Sequence, residues 1–141
     1  MNKFVYMLML LVVFMSACSK EERKLELFSP EAFAFKLEEG WELNASVQVK
    51  GVSLRGENGG YSARLSYYVD AVTPAGEKLE EIYSDIVNKE SADEFNEMTI
   101  ELQVEFDQSY LAGEYKLIFY VTDDYLQQEV SIEKTFELTA E

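Results

Sequence analysis

The 141-residue chain contains no histidine and a single cysteine, Cys18. Ser-His-Asp and Cys-His catalysis both rely on an imidazole to take the nucleophile's proton, so both are excluded. Zinc sites built on His and Cys are excluded with them. A phosphate-cradling glycine loop is also missing. Gly56-Glu57-Asn58-Gly59-Gly60 follows neither the Walker nor the dinucleotide spacing, and it opens no helical pattern. Calcium takes oxygen ligands, but the D-x-D-x-D-G run of a calcium loop is absent. Asp93-Glu94, Asp107 and Asp123-Asp124 fall in three different turns, where Asp begins a turn by bonding its own backbone. Paired carboxylates can hydrolyse glycosides. With 27 acidic residues some pair always lies close, so that signal carries little. No metal, no cofactor and no enzymatic activity are expected.

Basic residues are scarce as well. Twelve Lys and Arg stand against 27 Asp and Glu, a formal charge of −15. A phosphate backbone is held by a basic surface, so nucleic acid is not an expected partner. Anionic lipid headgroups would repel the domain too. The acidity favours solubility and can attract a basic partner or cations. Long hydrophobic runs are the last absence. The longest, Phe4 to Met15, has 12 residues, against the roughly 20 that a membrane-crossing helix needs.

That short run has a different use. It follows Lys3 and precedes Ser16 and Ala17, which is the layout of a cleaved secretory leader. The plainest reading is cleavage near Ala17, with Cys18 incidental. The further one is that Met15-Ser16-Ala17-Cys18 resembles the bacterial lipobox, although Met stands where Leu is commoner. The resemblance implies diacylation of the Cys18 thiol, cleavage just before it and acylation of the new amine. A lone Cys in an exported chain has no partner for an internal disulfide. One acyl chain holds a protein marginally, whereas two or three hold it almost permanently, at roughly 0.8 kcal/mol per buried CH₂. Loss of Lys3 with the leader takes the charge to −16. The charged stretch Ser19-Lys20-Glu21-Glu22-Arg23-Lys24 reads as a solvated tether. Ser after the cysteine resembles the pattern that sends lipoproteins to the outer membrane. Cys-Ser-Lys-Glu-Glu is similar to a surface-export signal of some Gram-negative groups. Which face of that membrane it implies is left open.

The expected organisation is therefore a signal peptide over 1–17, a lipidated Cys and tether over 18–30, and one domain over 31–141. Within the domain the pattern has period two, the mark of half-buried strands. Leu25 and Leu27 alternate before Ser29-Pro30 breaks the run. Phe33, Phe35 and Leu37 then alternate with Ala34 and Lys36 and are assigned to the inner face. Trp41, Leu43, Ala45, Val47 and Val49 share one face, and a phase slip at Lys50-Gly51 reads as a β-bulge. Gly56 to Gly60 reads as a loop. Inner faces follow at Tyr61 to Val69, Met98 to Phe106, Tyr115 to Val121 and Val130 to Leu138. Glu77 to Val87 fits either a short amphipathic helix, with Leu79, Ile82, Tyr83 and Ile86 on one side, or an irregular edge strand, which its β surroundings favour.

Seven or so short strands without long helices predict an all-β antiparallel sandwich, with a small closed barrel as the alternative. Leu111-Ala112-Gly113-Glu114-Tyr115-Lys116-Leu117 resembles the corner before the penultimate strand of immunoglobulin-like domains. Gly113-Glu114-Tyr115, followed by an alternating strand and an Asp turn, is similar to bacterial envelope domains of that type. The resemblance covers about the last third of the chain. It implies an immunoglobulin-like fold in which Tyr115 bonds back across the corner.

In such a sandwich the strands from Tyr61 and Tyr115 are neighbours. Tyr68, Ile118, Tyr120 and Arg64 then share an outward face, with Lys116 beside them. Adjacent exposed aromatics next to an Arg have the composition of a binding hot spot, and exposed apolar patches are uncommon on monomers. The competing reading is that Glu77 to Val87 covers this face as a second small core. Trp41 could stack on a sugar, but its parity puts it with the core. The expected protein is a non-enzymatic, lipid-anchored envelope protein held in the membrane through Cys18. It would be a structural or interaction module for another envelope protein, with carbohydrate or calcium binding as the alternative.

Overall fold

The computed structural model describes residues 23–140. Cys18, the lipobox and the leader lie outside the described residues. Eight strands follow in order: β1 (Glu26–Lys36), β2 (Trp41–Lys50), β3 (Arg55–Glu57), β4 (Gly60–Val72), β5 (Lys78–Ser91), β6 (Glu97–Phe106), β7 (Gly113–Asp123) and β8 (Gln128–Leu138). They make two antiparallel sheets, so the fold is the all-β sandwich that the period-two pattern predicts. No helix among the described residues is long and apolar enough to cross a membrane.

One sheet has the order β1-β2-β6. The other is built on β4. Leu65 to Val69 pair with β5 along one edge and with β7 along the other, and β8 lies beyond β7. Ser62 pairs with Glu90 of β5 and Arg55 of β3, so the short β3 shares the β7 edge. In a constant-type immunoglobulin sandwich the fourth of seven long strands joins the sheet of the first, second and fifth. Here that strand, β5, has crossed to the other sheet and pairs with the third. Glu77 to Val87 is therefore largely edge strand and not helix. The strands on either side of it leave β4 with a free edge, and pairing fills that edge where a helix would leave unbonded backbone.

The alternating residues supply the core. Leu43, Val47, Val49, Leu65, Val69, Leu117, Phe119 and Val121 have no exposed surface, and each contributes roughly 1.5–3 kcal/mol by leaving water. An aromatic cluster closes one end. Phe106 meets Tyr115 edge-on at 5.9 Å, and Tyr115 stacks on Phe136 at 5.5 Å. The Tyr115 hydroxyl donates to the Leu111 carbonyl at 2.7 Å, so the expected corner bond is present. Trp41 is only 4% exposed, and its Nε1–H donates to the Thr139 carbonyl at 2.8 Å. It plugs the edge of the core and offers no sugar platform.

Four expectations change. The folded region starts ahead of residue 31, because Leu25 and Leu27 are buried and β1 begins at Glu26. The slip at Gly51 is no bulge but the end of β2. Gly51 has φ +76°, and a Cβ there would collide with the Lys24 carbonyl. Gly56 to Gly60 is not wholly loop, since Asn58 (φ 50°) and Gly59 (φ 80°) turn a tight β3–β4 hairpin, the two-residue turn that needs positive φ twice. The fourth change concerns β1. Between the pairs Phe28↔Gln48 and Glu31↔Ser46, β1 carries two residues and β2 carries one. The extra residue is a bulge at Ser29-Pro30, with Ser29 at φ 48°. A one-residue offset inverts every later side chain. Ala32 and Ala34 therefore turn inward, and Phe33 and Phe35 turn outward at 60% and 57% exposure.

Candidate interaction face on the five-stranded sheet

Tyr68 of β4 and Tyr120 of β7 are direct cross-strand partners. Even-numbered residues of both strands point away from the core, because the odd-numbered set is buried. The two rings stack at 4.7 Å with 13° between planes, an arrangement worth about 0.5–1.5 kcal/mol beyond the area it covers. Ile118 lies two residues before Tyr120 on the same face. On the opposite side of β4, Ile86 of β5 pairs with Ser66 and is 46% exposed. A shallow depression of about 410 Å³ beside Tyr68 is lined by Ser66, Ser84, Ile86, Thr122 and Glu81 among others. β5 lies in the plane of the sheet and does not cover this face. Tyr68, Ile118 and Tyr120 are half-buried and do not form a closed second core.

Arg64 stands apart from the stack. The row of Ser66 separates it from Tyr68, and its Nε donates to Asp124 Oδ2 at 3.0 Å. Ser66 Oγ donates to the same carboxylate at 2.7 Å. Arg64 is thus tied to the β7–β8 turn and is not aimed at the aromatic pair. The cation that does approach is Lys78. Its Nζ sits 3.3 Å from Asp70 Oδ2 and 6.0 Å from the centre of the Tyr120 ring. The hydrogen bond to Asp70 and the neighbouring Tyr120 raise the Lys78 pKa. The Tyr68 hydroxyl is raised too, by lost hydration first and by Glu129 and Asp70 next. Both groups keep their ordinary charge state at neutral pH.

Asp70 went unnoticed in the sequence. It is a buried carboxylate at an outward parity position, and it accepts the Glu81 backbone N–H at 2.8 Å. Glu81 has φ 48° and sits where β5 carries extra residues between the pairs Val69↔Tyr83 and Ala71↔Leu79. Asp70 therefore holds an edge-strand bulge, a device that discourages edge-to-edge pairing. An Asp in a strand of apolar and aromatic residues was the available signal.

The other candidate carboxylates serve the fold. Asp123 is fully buried. Its Oδ2 accepts the Ser53 N–H at 2.8 Å, and its Oδ1 accepts the Ser53 hydroxyl at 2.7 Å and the Tyr125 N–H at 3.1 Å. Asp107 accepts bonds from the Ser109 backbone and hydroxyl, which hold its carboxyl below the usual range. Among the described residues no three Asp, Glu, His or Cys side chains converge as a metal site would require. An open cleft of about 900 Å³ lies near Arg23, lined by Arg23, Ser53, Leu54, Tyr61, Glu94 and Leu126 among others. Among the described residues Glu94 is the one carboxylate lining it, 3.8 Å from Arg23.

No protein-family model and no curated protein matches the chain. Two solved structures show a distant likeness to it. A family 123 glycoside hydrolase from Clostridium perfringens, described for glycolipid glycan hydrolysis, is 13% identical with a TM-score of 0.48, over 76% of this chain and 22% of that one. A structural-genomics target known from an X-ray structure is 10% identical with a TM-score of 0.32, over 86% of this chain and 89% of that one. The chain thus spans about a fifth of the hydrolase. These likenesses carry no statement about what this chain does.

Proposed function

We propose that this is a non-enzymatic protein-interaction module, held at a bacterial envelope membrane by lipid on Cys18. The observation that carries the interaction reading is the outward Tyr68–Tyr120 stack, flanked by Ile118 and Ile86 and bordered by a shallow depression. Rigid aromatics at the centre of a sheet face, with charged residues around them, have the make-up of a hot spot. Neighbouring charges satisfy one another, Arg64 with Asp124 and Lys116 with Glu133. They would form a polar rim and not a catalytic centre.

The anchor reading rests on the leader and the lipobox resemblance. Glu26, the first residue of β1, is eight residues after Cys18. At 3.3–3.6 Å per residue that span reaches at most roughly 29 Å. The tether would hold the domain near the bilayer and leave both sheet faces free to meet a neighbour. Ser19 after the cysteine supports the outer membrane as the location.

Two measurements test the two parts. The mature N-terminus, isolated from membranes, should carry a lipidated Cys18 by mass spectrometry. A mature chain beginning at or near residue 18 without lipid would remove the anchor. A photo-crosslinking residue at position 120 should trap a discrete envelope protein, while the same residue at Asn58, at the exposed tip of the β3–β4 hairpin, should trap it weakly. Equal trapping at both positions would remove the assigned surface.

A further inference from the structure

The opposite side of the molecule carries a second unexplained feature. The bulge at Ser29-Pro30 places Ser29 in a backbone region that L residues seldom adopt. Its consequence is that two alanines face the core and two phenylalanines face water. A continuous strand would bury Phe33 and Phe35. This one spends backbone strain to present them, and strain of that kind concentrates at functional positions. Leu37 continues the row at 38% exposure.

The surroundings of these rings define what fits them. On the outer face of the three-stranded sheet, Phe33 pairs with Asn44 and Phe35 with Glu42, and Gln103 and Glu105 follow on β6. The carboxylates of this face are Glu26, Glu31, Glu42, Glu97, Glu101 and Glu105. Among the described residues of these three strands, the one basic side chain on this face is Lys50, which is 3.6 Å from Glu26. A second copy of the chain would bring these carboxylates against an identical set, and an anionic lipid surface would be repelled in the same way. Opposite charge across an interface selects the partner and speeds encounter.

We infer that the outer face of the β1-β2-β6 sheet docks a cationic polypeptide segment carrying apolar side chains. Phe33 and Phe35 are the apolar anchors, and the surrounding glutamates select Lys or Arg. This face is separate from the Tyr68–Tyr120 face and stands or falls independently of it.

The test uses the full lipidated chain in phosphatidylcholine vesicles, with protein-free vesicles as the blank. The probe is a fluorescent peptide of alternating Lys and Leu, with an alternating Glu and Leu peptide as the comparison. Cosedimentation should show binding of the Lys peptide at low salt and at least tenfold weaker binding at 0.5 M salt, a concentration at which exposed charges are largely screened. F33S/F35S should weaken binding at least tenfold with an unchanged melting temperature, because both rings are mostly exposed already. E101Q/E105Q should weaken it severalfold. The inference is overturned if F33S/F35S binds as well as wild type, if the Glu peptide binds equally, or if the Lys peptide does not bind. It is also overturned if only Y68T/Y120T loses binding, or if wild type crosslinks to itself through this face.

Discussion

Replacing Tyr115 with Phe isolates one hydrogen bond in the corner that joins the sheets. Every ring contact survives the change: the stack on Phe136 at 5.5 Å and the edge contact to Phe106 at 5.9 Å. Only the 2.7 Å bond to the Leu111 carbonyl is lost. A neutral hydrogen bond contributes about 0.5–1.5 kcal/mol net. Leu111 sits in an exposed corner, its residue 75% accessible, so water can reach its carbonyl once the hydroxyl is gone. The expected loss is therefore about 1 kcal/mol, without the larger penalty of a stranded buried acceptor. Unfolding entropy near 2.1 cal/mol/K per residue, over about 118 described residues, converts this to about 4 °C in Tm. Urea unfolding and a thermal melt, beside a Tyr110→Phe control, read the effect. Tyr110 contacts Phe106 at 5.1 Å, and its hydroxyl makes no hydrogen bond among the described residues, so that control should shift by less than about 0.5 kcal/mol. Equal stability of wild type and Tyr115→Phe would refute the corner as a stabilising element. A loss well above 3 kcal/mol would show that the corner is buried in a way the geometry does not describe.

Removing the Asp123 carboxylate with Ala should cost about 1–3 kcal/mol, because it leaves the half-buried Ser53 N–H without its acceptor, and Asn should recover part of that loss in the same urea titration. Ser29→Gly should raise stability by up to about 1 kcal/mol by relieving the positive φ, and unchanged stability would remove strain from the account of β1. Alkaline pH should destabilise the fold. Burial foremost raises the Tyr67 and Tyr115 hydroxyls above the tyrosine range, so their contribution is complete below about pH 10 and falls as pH climbs past it. A urea midpoint that stays flat from pH 8 to 11 would contradict this.

Most of the architecture could be read in the chain because alternation is a strong signal wherever one sheet face is buried. The faces of β2, β4, β6 and β7 follow from counting by two, and Gly113-Glu114-Tyr115 locates the corner. The failures share a physical cause. Parity is reset by a single inserted residue, and at Ser29-Pro30 the break reads as the end of a strand although the strand continues on the other phase. Phe33 and Phe35 then look like core because they are apolar, and only the register with β2 shows that the alanines hold those places. At β5 the helical spacing of Leu79, Ile82, Tyr83 and Ile86 is produced by a bulge inside an edge strand. The Tyr68, Ile118 and Tyr120 grouping follows from strand neighbourhood, whereas Arg64 shares only their parity. Its attachment to Asp124 depends on the geometry of a turn.

The central claim is that the Tyr68–Tyr120 face binds another envelope protein. Its most direct measurement is mild crosslinking in intact membranes, followed by capture of wild type beside Tyr68→Thr, Tyr120→Thr. Thr is a strand former that pairs across neighbouring strands, and the variant's melting curve establishes that it is folded. The account predicts one discrete partner with wild type, recovered at least tenfold less with the variant. Equal recovery of that partner from both, or no partner from wild type, would contradict it.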